Sequence, residues 1–160
     1  MTQSILIVDD DESSRISVEL ALTMAGYSVL GAESGSKAIE HITAAIEAAE
    51  TFDLLITDLH MPEMSGQQLI DELDRLGIEI PTIVLTGYAD PDAIENLGGK
   101  NGCELFEKPL DPRALTIGVE KVLSKNKNRK RGWRKSMLPP NPFRLAEMKN
   151  AFNTILATDG

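Results

Sequence analysis

The chain is short of the residues that build disulfide scaffolds and zinc sites. Its one cysteine, Cys103, can form no intrachain disulfide and excludes any multi-cysteine zinc cluster. Two histidines, His41 and His60, fall short of the ligand sets zinc enzymes use. No uncharged apolar run approaches the ~18 residues a membrane span needs. The N-terminal MTQSILIVDDDESS has neither the basic first region nor the long apolar core of a signal peptide. The expectation is a soluble, cytoplasmic protein with no membrane insertion.

Basic residues are also scarce, but only in part of the chain. Residues 1–124 hold 7 Lys and Arg against 23 Asp and Glu, a net charge of −16. Residues 125–160 hold 9 against 2, a net charge of +7. A body that acidic does not attract nucleic acid; a metal cation or a basic partner suits it better. The composition, 42% hydrophobic and 26% charged over 160 residues, is that of one globular domain with an appendage.

The body alternates strand and helix patterns. Ser4–Val8 is a short, continuous apolar run, as expected of a strand buried on both faces. A helix pattern comes next, over about 13–25, with Ile16, Leu20 and Met24 at helical spacing and Gly26 as its stop. Residues 27–32 read as a second strand. Ser34 or Ser36 caps a helix over about 36–50 through Ile39, Ile42, Ala45, Ile46 and Ala49. Strands over 54–57, 82–86 and 104–106 alternate with helices over 67–76 and 90–97. A last helix opens near Pro112 and ends near Leu123. Five such units imply a doubly wound parallel sheet with helices on both faces. The site of such a sheet lies at the carboxyl ends of its strands, where the strand order reverses.

The residues at those ends are informative. Strand one runs into Asp9-Asp10-Asp11-Glu12, strand three into Thr57-Asp58, strand four into Thr86-Gly87, and strand five is followed by Lys108-Pro109. Clustered carboxylates repel one another and call for a cation. An oxygen-only donor set suits Mg2+, and a lysine opposite can pair a carboxylate or hold a bound anion. A threonine hydroxyl adds a neutral donor. Together these groups equip a site for phosphoryl transfer.

The segments ILIVDDD, LLITDLHMPEMSG, IVLTG and FEKPL, in this order and each at a strand end, resemble the response-regulator receiver domains of two-component signalling. The 22 residues from Thr86 to Lys108 fit that family, and the resemblance covers about residues 3–124. It implies a flavodoxin-like, five-stranded parallel sheet of order 2-1-3-4-5 with five helices. It implies that Asp58 accepts a phosphoryl group from a phosphohistidine on a sensor histidine kinase or a histidine phosphotransfer protein. Asp10 and Asp58 would hold Mg2+, with Asp9 reaching the ion directly or through water and the His60 backbone carbonyl completing the set. Lys108 would bridge to Asp58 and then to a phosphoryl oxygen. Thr86 would turn its hydroxyl onto the phosphoryl group and so throw the switch. The side chains at His60 and Tyr88 sit where receivers set the rate of phosphoryl loss, and the Lys108-Pro109 bond is cis in the family.

Other groups read as structural. Asp11 suits the start of a helix, where the dipole favours negative charge, and Cys103 suits a small core position before strand five. Two features depart from the family pattern. The position three before the lysine, usually aromatic, is Leu105, and Phe106 falls on the opposite strand face. The stretch from Gly35 to Asp58 is longer than usual by about a helical turn, which reads as a surface extension away from the site.

The chain divides into a receiver body (1–124), a basic, proline-containing linker (125–142) and a short amphipathic helical tail (143–160). KNKNRKRGWRK, at 125–135, has seven basic side chains and Trp133 and reads as a flexible, solvated run. Pro139, Pro140 and Pro142 stiffen the chain between this run and the tail. Leu145, Met148, Phe152 and Ile155 recur at helical spacing on a segment too short to be stable alone. That stripe calls for a surface: the body, a second copy in a homodimer, or an output partner. The tail is too short for the usual DNA-binding output domains, so nucleic acid is not the favoured partner. Two alternatives stand beside the phosphorelay reading. One is a transcriptional regulator that binds DNA through the basic run. The other is a haloacid-dehalogenase-type phosphatase using Asp9 of the Asp9-x-Asp11-x-Ser13 spacing as nucleophile.

Overall fold

The computed structural model describes residues 2–87, 91–97, 103–108, 111–136 and 150. The chain runs β1 (Ser4–Val8), α1 (Glu12–Met24), β2 (Ser28–Ala32), α2 (Gly35–Glu47), β3 (Leu54–Asp58), α3 (Gly66–Arg75), β4 (Thr82–Thr86), α4 (Pro91–Leu97), β5 (Cys103–Glu107) and α5 (Pro112–Ser136). All strand pairings are parallel and the order is β2-β1-β3-β4-β5, the doubly wound arrangement expected. The order reverses between β1 and β3, which opens the crevice where a site forms.

The central strands are apolar throughout because helices cover both faces. Ile5, Ile7, Leu54, Ile56, Ile83 and Leu85 point to one face and pack on Leu22 of α1 and on Leu115, Val119, Val122 and Leu123 of α5. Leu6, Val8 and Leu55 point to the other and pack on α2 and α3. Val84, Leu59, Ile70 and Leu97 extend that side toward α3 and α4. Each fully buried side chain of this size contributes about 1.5–3 kcal/mol relative to exposure.

Three helices end alike. After α1, α2 and α3 the chain takes a left-handed residue, Gly26 (φ 97°), Ala49 (φ 58°) and Gly77 (φ 71°). The next residue donates back into the last turn in each case: Tyr27 to the Leu22 carbonyl, Glu50 to Ala45 and Ile78 to Leu73. Gly26 is the stop that the sequence predicts. Ala49 is not: the helix predicted to reach residue 50 ends at Glu47, because the same backbone motif forms there without the glycine that signals it. Ser34, not Ser36, caps α2. Ser65 and Gln68 form a reciprocal capping box at α3, which begins at Gly66 rather than 67. Cys103 lies within β5 as its first residue, packed on the α3–α4 side.

The stripe Ile16, Leu20 and Met24 faces solvent, and α1 turns Leu22 and Val18 inward. One further expectation is corrected. The last helix does not end near Leu123. It continues to Ser136 through the run read as a flexible linker, so the boundary drawn at 124 falls inside a helix. Lysine, arginine and asparagine all tolerate helix, and no proline intervenes before Pro139. Asn126 prolongs the inward face, its amide donating to the Val122 carbonyl at 2.7 Å. Lys125 pairs with Glu104 of β5 at 2.9 Å. The tail 143–160, with the exception of Asn150, lies outside the described residues, as do Tyr88 and Pro109.

Candidate functional site

Sheet register brings the strand ends together. Val8 pairs with Thr57, so Asp9 and Asp58 come side by side on neighbouring strands. Thr86 pairs with Glu107, so Lys108 leaves β5 one residue beyond Thr86. The Lys108 backbone N–H donates to the Thr86 carbonyl at 2.7 Å, which extends the ladder by one bond and fixes where the lysine starts.

At the centre, Lys108 Nζ lies 3.2 Å from Asp9 Oδ2 and 3.3 Å from Asp58 Oδ2. The lysine thus bridges both carboxylates, where the sequence reading paired it with Asp58 alone. Asp9 is buried, Asp58 and Lys108 are half-buried and Asp10 is exposed. One oxygen from each of Asp9, Asp10 and Asp58 lies within 4.8 Å of the others. These hard, anionic oxygens meet the donor requirements of Mg2+. Burial raises the carboxyl of Asp58 above the ordinary aspartate value; Lys108 opposes that rise, and the charges of Asp9 and Asp10 add to it. For Lys108, burial alone would favour the neutral amine, but the carboxylates of Asp58 and Asp9 outweigh it and raise the ammonium above 10.5.

The surroundings hold these groups in place. Asp9 Oδ1 accepts the Asp11 backbone N–H at 2.9 Å. Asp11 caps α1 by accepting the Ser14 N–H at 2.8 Å, the structural role expected of it. Behind Asp58, Gly66 opens α3 so close that a Cβ there would collide with the Asp58 carbonyl oxygen. Its N–H donates to the Leu59 carbonyl at 2.9 Å, which fastens the 59–65 loop under the site. His60 sits in that loop with an exposed side chain, and Thr86 is buried at the end of β4. Leu105 packs with Val84 on the α4 side of the sheet. Phe106 packs on the other side, its ring against Gly118 of α5. The residue on Thr86's face of the sheet is therefore aliphatic, as the alternation of the strand predicts.

Arg15 is the residue that sequence reasoning missed. Its guanidinium donates to the Asp9 backbone carbonyl at 2.8 Å and lies 3.8 Å from Glu19. Gly31 of β2 leaves room for it, since a Cβ there would meet both the Arg15 and Glu19 side chains. The one available signal is that Arg15 is the first basic residue of the chain, one helical turn after an acidic run. Glu63, in the loop after Asp58, takes φ 68°, a strained value that nothing in the sequence announces.

A doubly wound sheet with an acidic pocket bridged by one lysine at its switch point defines a class of α/β module, and comparison narrows the class. The family described as "Response regulator receiver domain" matches residues 5–129, and the chain belongs to that family. Among curated relatives, the transcriptional regulatory protein GlrR of Escherichia coli (strain K12) is 33% identical over 150 residues, 92% of this chain. The transcriptional regulatory protein FixJ of Rhizobium meliloti (strain 1021) is 35% identical over 117 residues, 72% of this chain. The chain spans only 32% of GlrR and 54% of FixJ. A receiver domain protein (CheY-like) from Methanospirillum hungatei JF-1 superposes with a TM-score of 0.69 at 28% identity, covering 81% of this chain and 99% of that one.

The matching family is that of receiver domains. The buried Asp9 carboxylate accepts the Asp11 N–H on one oxygen and faces Lys108 with the other.

Proposed function

We propose that this chain is a phosphorylation-controlled switch of a two-component phosphorelay and that Asp58 is its phosphoacceptor. The observation that carries this reading is Lys108 Nζ lying between Asp9 and Asp58 beside the exposed Asp10. The donor is a phosphohistidine on a sensor histidine kinase or a histidine phosphotransfer protein. An Asp58 oxygen attacks phosphorus, the new P–O bond forms as the P–N bond breaks, and the imidazole leaves with the electron pair. Asp9, Asp10 and Asp58, with the backbone carbonyl of His60, would hold Mg2+. The ion's chemistry would be to neutralise charge on the phosphoryl oxygens. Lys108 gives up part of its pairing with the carboxylates and holds a phosphoryl oxygen. Thr86 donates its hydroxyl to the phosphorylated form, whose added charge is close to −2. The chain has no separate substrate; its output is a changed affinity of the face made by α4, β5 and α5 for a partner.

The test is intact mass after incubation with Mg2+ and acetyl phosphate, with Asp58→Asn alongside. One phosphoryl addition that requires Mg2+ and is lost in Asp58→Asn is expected. An unlabelled wild type that is fully folded would leave a phosphate-independent docking module. Release of free phosphate surviving Asp58→Asn would remove the phosphoacceptor reading.

A second reading, DNA binding through the basic run, is favoured by the continuation of α5 as helix across residues 125–135. GlrR and FixJ are named as transcriptional regulatory proteins. Its signature would be duplex DNA affinity that falls steeply with salt. Affinity independent of salt, or none, would dismiss it.

A further inference from the structure

α1 and α5 lie on one face of the sheet, and a groove of about 500 Å³ runs between them, lined by Ala21 and Met24 on one side and Pro112, Arg113, Thr116, Ile117 and Glu120 on the other. Arg113 and Glu120 apart, its walls are apolar, and exposed apolar side chains continue beyond it along α1. Ile16, Leu20 and Met24 stand at successive turns of α1 with 52%, 60% and 80% of their area exposed, and Ile117 of α5 is 55% exposed. These side chains contribute nothing to the hydrophobic core. None belongs to the Asp58 site.

The same chain carries a stripe without a partner. Leu145, Met148, Phe152 and Ile155 recur at spacings of 3, 4 and 3 within a 15-residue helix pattern over 143–157. A helix of that length gains its stability from packing its apolar face. Asn150, the one described residue in the pattern, is helical and exposed, and it falls on the face opposite the stripe.

We propose that residues 143–157 pack in cis into the groove between α1 and α5, with Phe152 and Ile155 against Met24, Leu20 and Ile117. The reach is sufficient. From Ser136 back to Ile117 along α5 is about 28 Å at 1.5 Å per residue. Residues 137–142 can span at most ~20 Å. A helix from 143 to 155 adds about 18 Å. Charges of both signs face each other: the segment carries Arg144, Glu147 and Lys149, and the groove wall carries Arg113 and Glu120. A six-residue tether holds the segment at an effective concentration in the millimolar range, which favours its own groove over that of a second copy.

The test uses the full chain. Methyl NMR of wild type and Phe152→Ala is compared at a concentration where light scattering gives a monomer. The signals of Leu20, Met24 and Ile117 are expected to shift, while those of Leu30 and Ile94, exposed elsewhere, stay in place. In parallel, Met24→Cys with Ile155→Cys in a Cys103→Ser background is oxidised with oxidised glutathione. A disulfide at monomer mass is expected. Unmoved methyl signals overturn the proposal. So does a disulfide found only between chains, or a shift that appears only on dimerisation; either would assign the groove to a second copy.

Discussion

In the proposed site Asp58 and Lys108 would carry the chemistry, and their protonation has consequences for the fold itself. The Asp58 carboxyl is raised above its ordinary 3.8, chiefly by burial, so the folded, metal-free chain holds that proton more tightly than the unfolded chain does. Its contribution to stability is fully present below 3.8 and is lost as pH rises through the raised value, leaving ionised Asp58 a cost at neutral pH. Lys108 works over a different window: its contribution is present below 10.5 and is lost only above its raised value. Asp58→Asn should therefore raise the melting temperature of the metal-free chain at pH 7, by about 1 kcal/mol in stability, the size of an ordinary substitution effect. The gain should vanish near pH 3, and thermal scans at both pH values check it; a loss at pH 7 would refute the burial cost assigned to ionised Asp58. Lys108→Ala should slow labelling by acetyl phosphate about a hundredfold, the usual loss when one preorganised charge donor is removed. Equal rates would mean that the lysine only balances charge in the resting state. These side chains were legible in the sequence because each comes after a buried strand, and parallel register aligns strand ends. Arg15 was not, because its bond to the Asp9 carbonyl depends on how α1 lies across Gly31, which no local pattern encodes.

Helix ends show how elements can be legible or hidden under one geometry. α1 and α3 close on Gly26 and Gly77, whereas α2 closes on Ala49 at φ 58° with the same return hydrogen bonds. A side chain in that region costs about 1–2 kcal/mol relative to glycine. Ala49→Gly should accordingly stabilise the chain by about 1 kcal/mol, read as a shift in denaturant midpoint at unchanged slope. No shift would mean that the unfolded-state entropy of the added glycine offsets the relief. The same absence of glycine explains why the sequence pattern carries α2 too far. Strands were readable as short runs between helix patterns, whereas their order was available only from the resemblance to receiver domains. The far end of α5 was not readable, since a run of lysine, arginine and asparagine suits both solvated coil and helix. The outward stripe of α1 was misleading for the opposite reason: helical spacing of apolar residues reports a face but does not say which body it faces.

At the scale of the whole molecule, charge is divided, with −16 on residues 1–124 and +7 on residues 125–160. A divalent cation entering the Asp9, Asp10 and Asp58 pocket experiences that field as well as its own ligands. Mg2+ at a hundred times its dissociation constant should raise stability by about 2.7 kcal/mol, and a chelator should remove the gain. The gain at a fixed Mg2+ concentration should shrink between 50 and 500 mM salt, roughly as the Debye length contracts. Calorimetry would detect it, and a salt-independent gain would mean that only the immediate ligands matter. The same experiment on Asp58→Asn should show a much smaller gain. The length of α5 has a mechanical meaning as well. The helix is bedded on the sheet where Gly118 meets the Phe106 ring and where Lys125 meets Glu104. From Gly118 to Ser136 it extends about 27 Å, so a tilt of about 5° at the bed sweeps its tip through roughly 2 Å. Both bedding contacts fall on β5, the strand whose next residue is Lys108. Under the proposed function α5 would be a lever arm whose fulcrum stands next to Lys108, and it would turn sub-ångström adjustments there into a stroke large enough for a second protein to read.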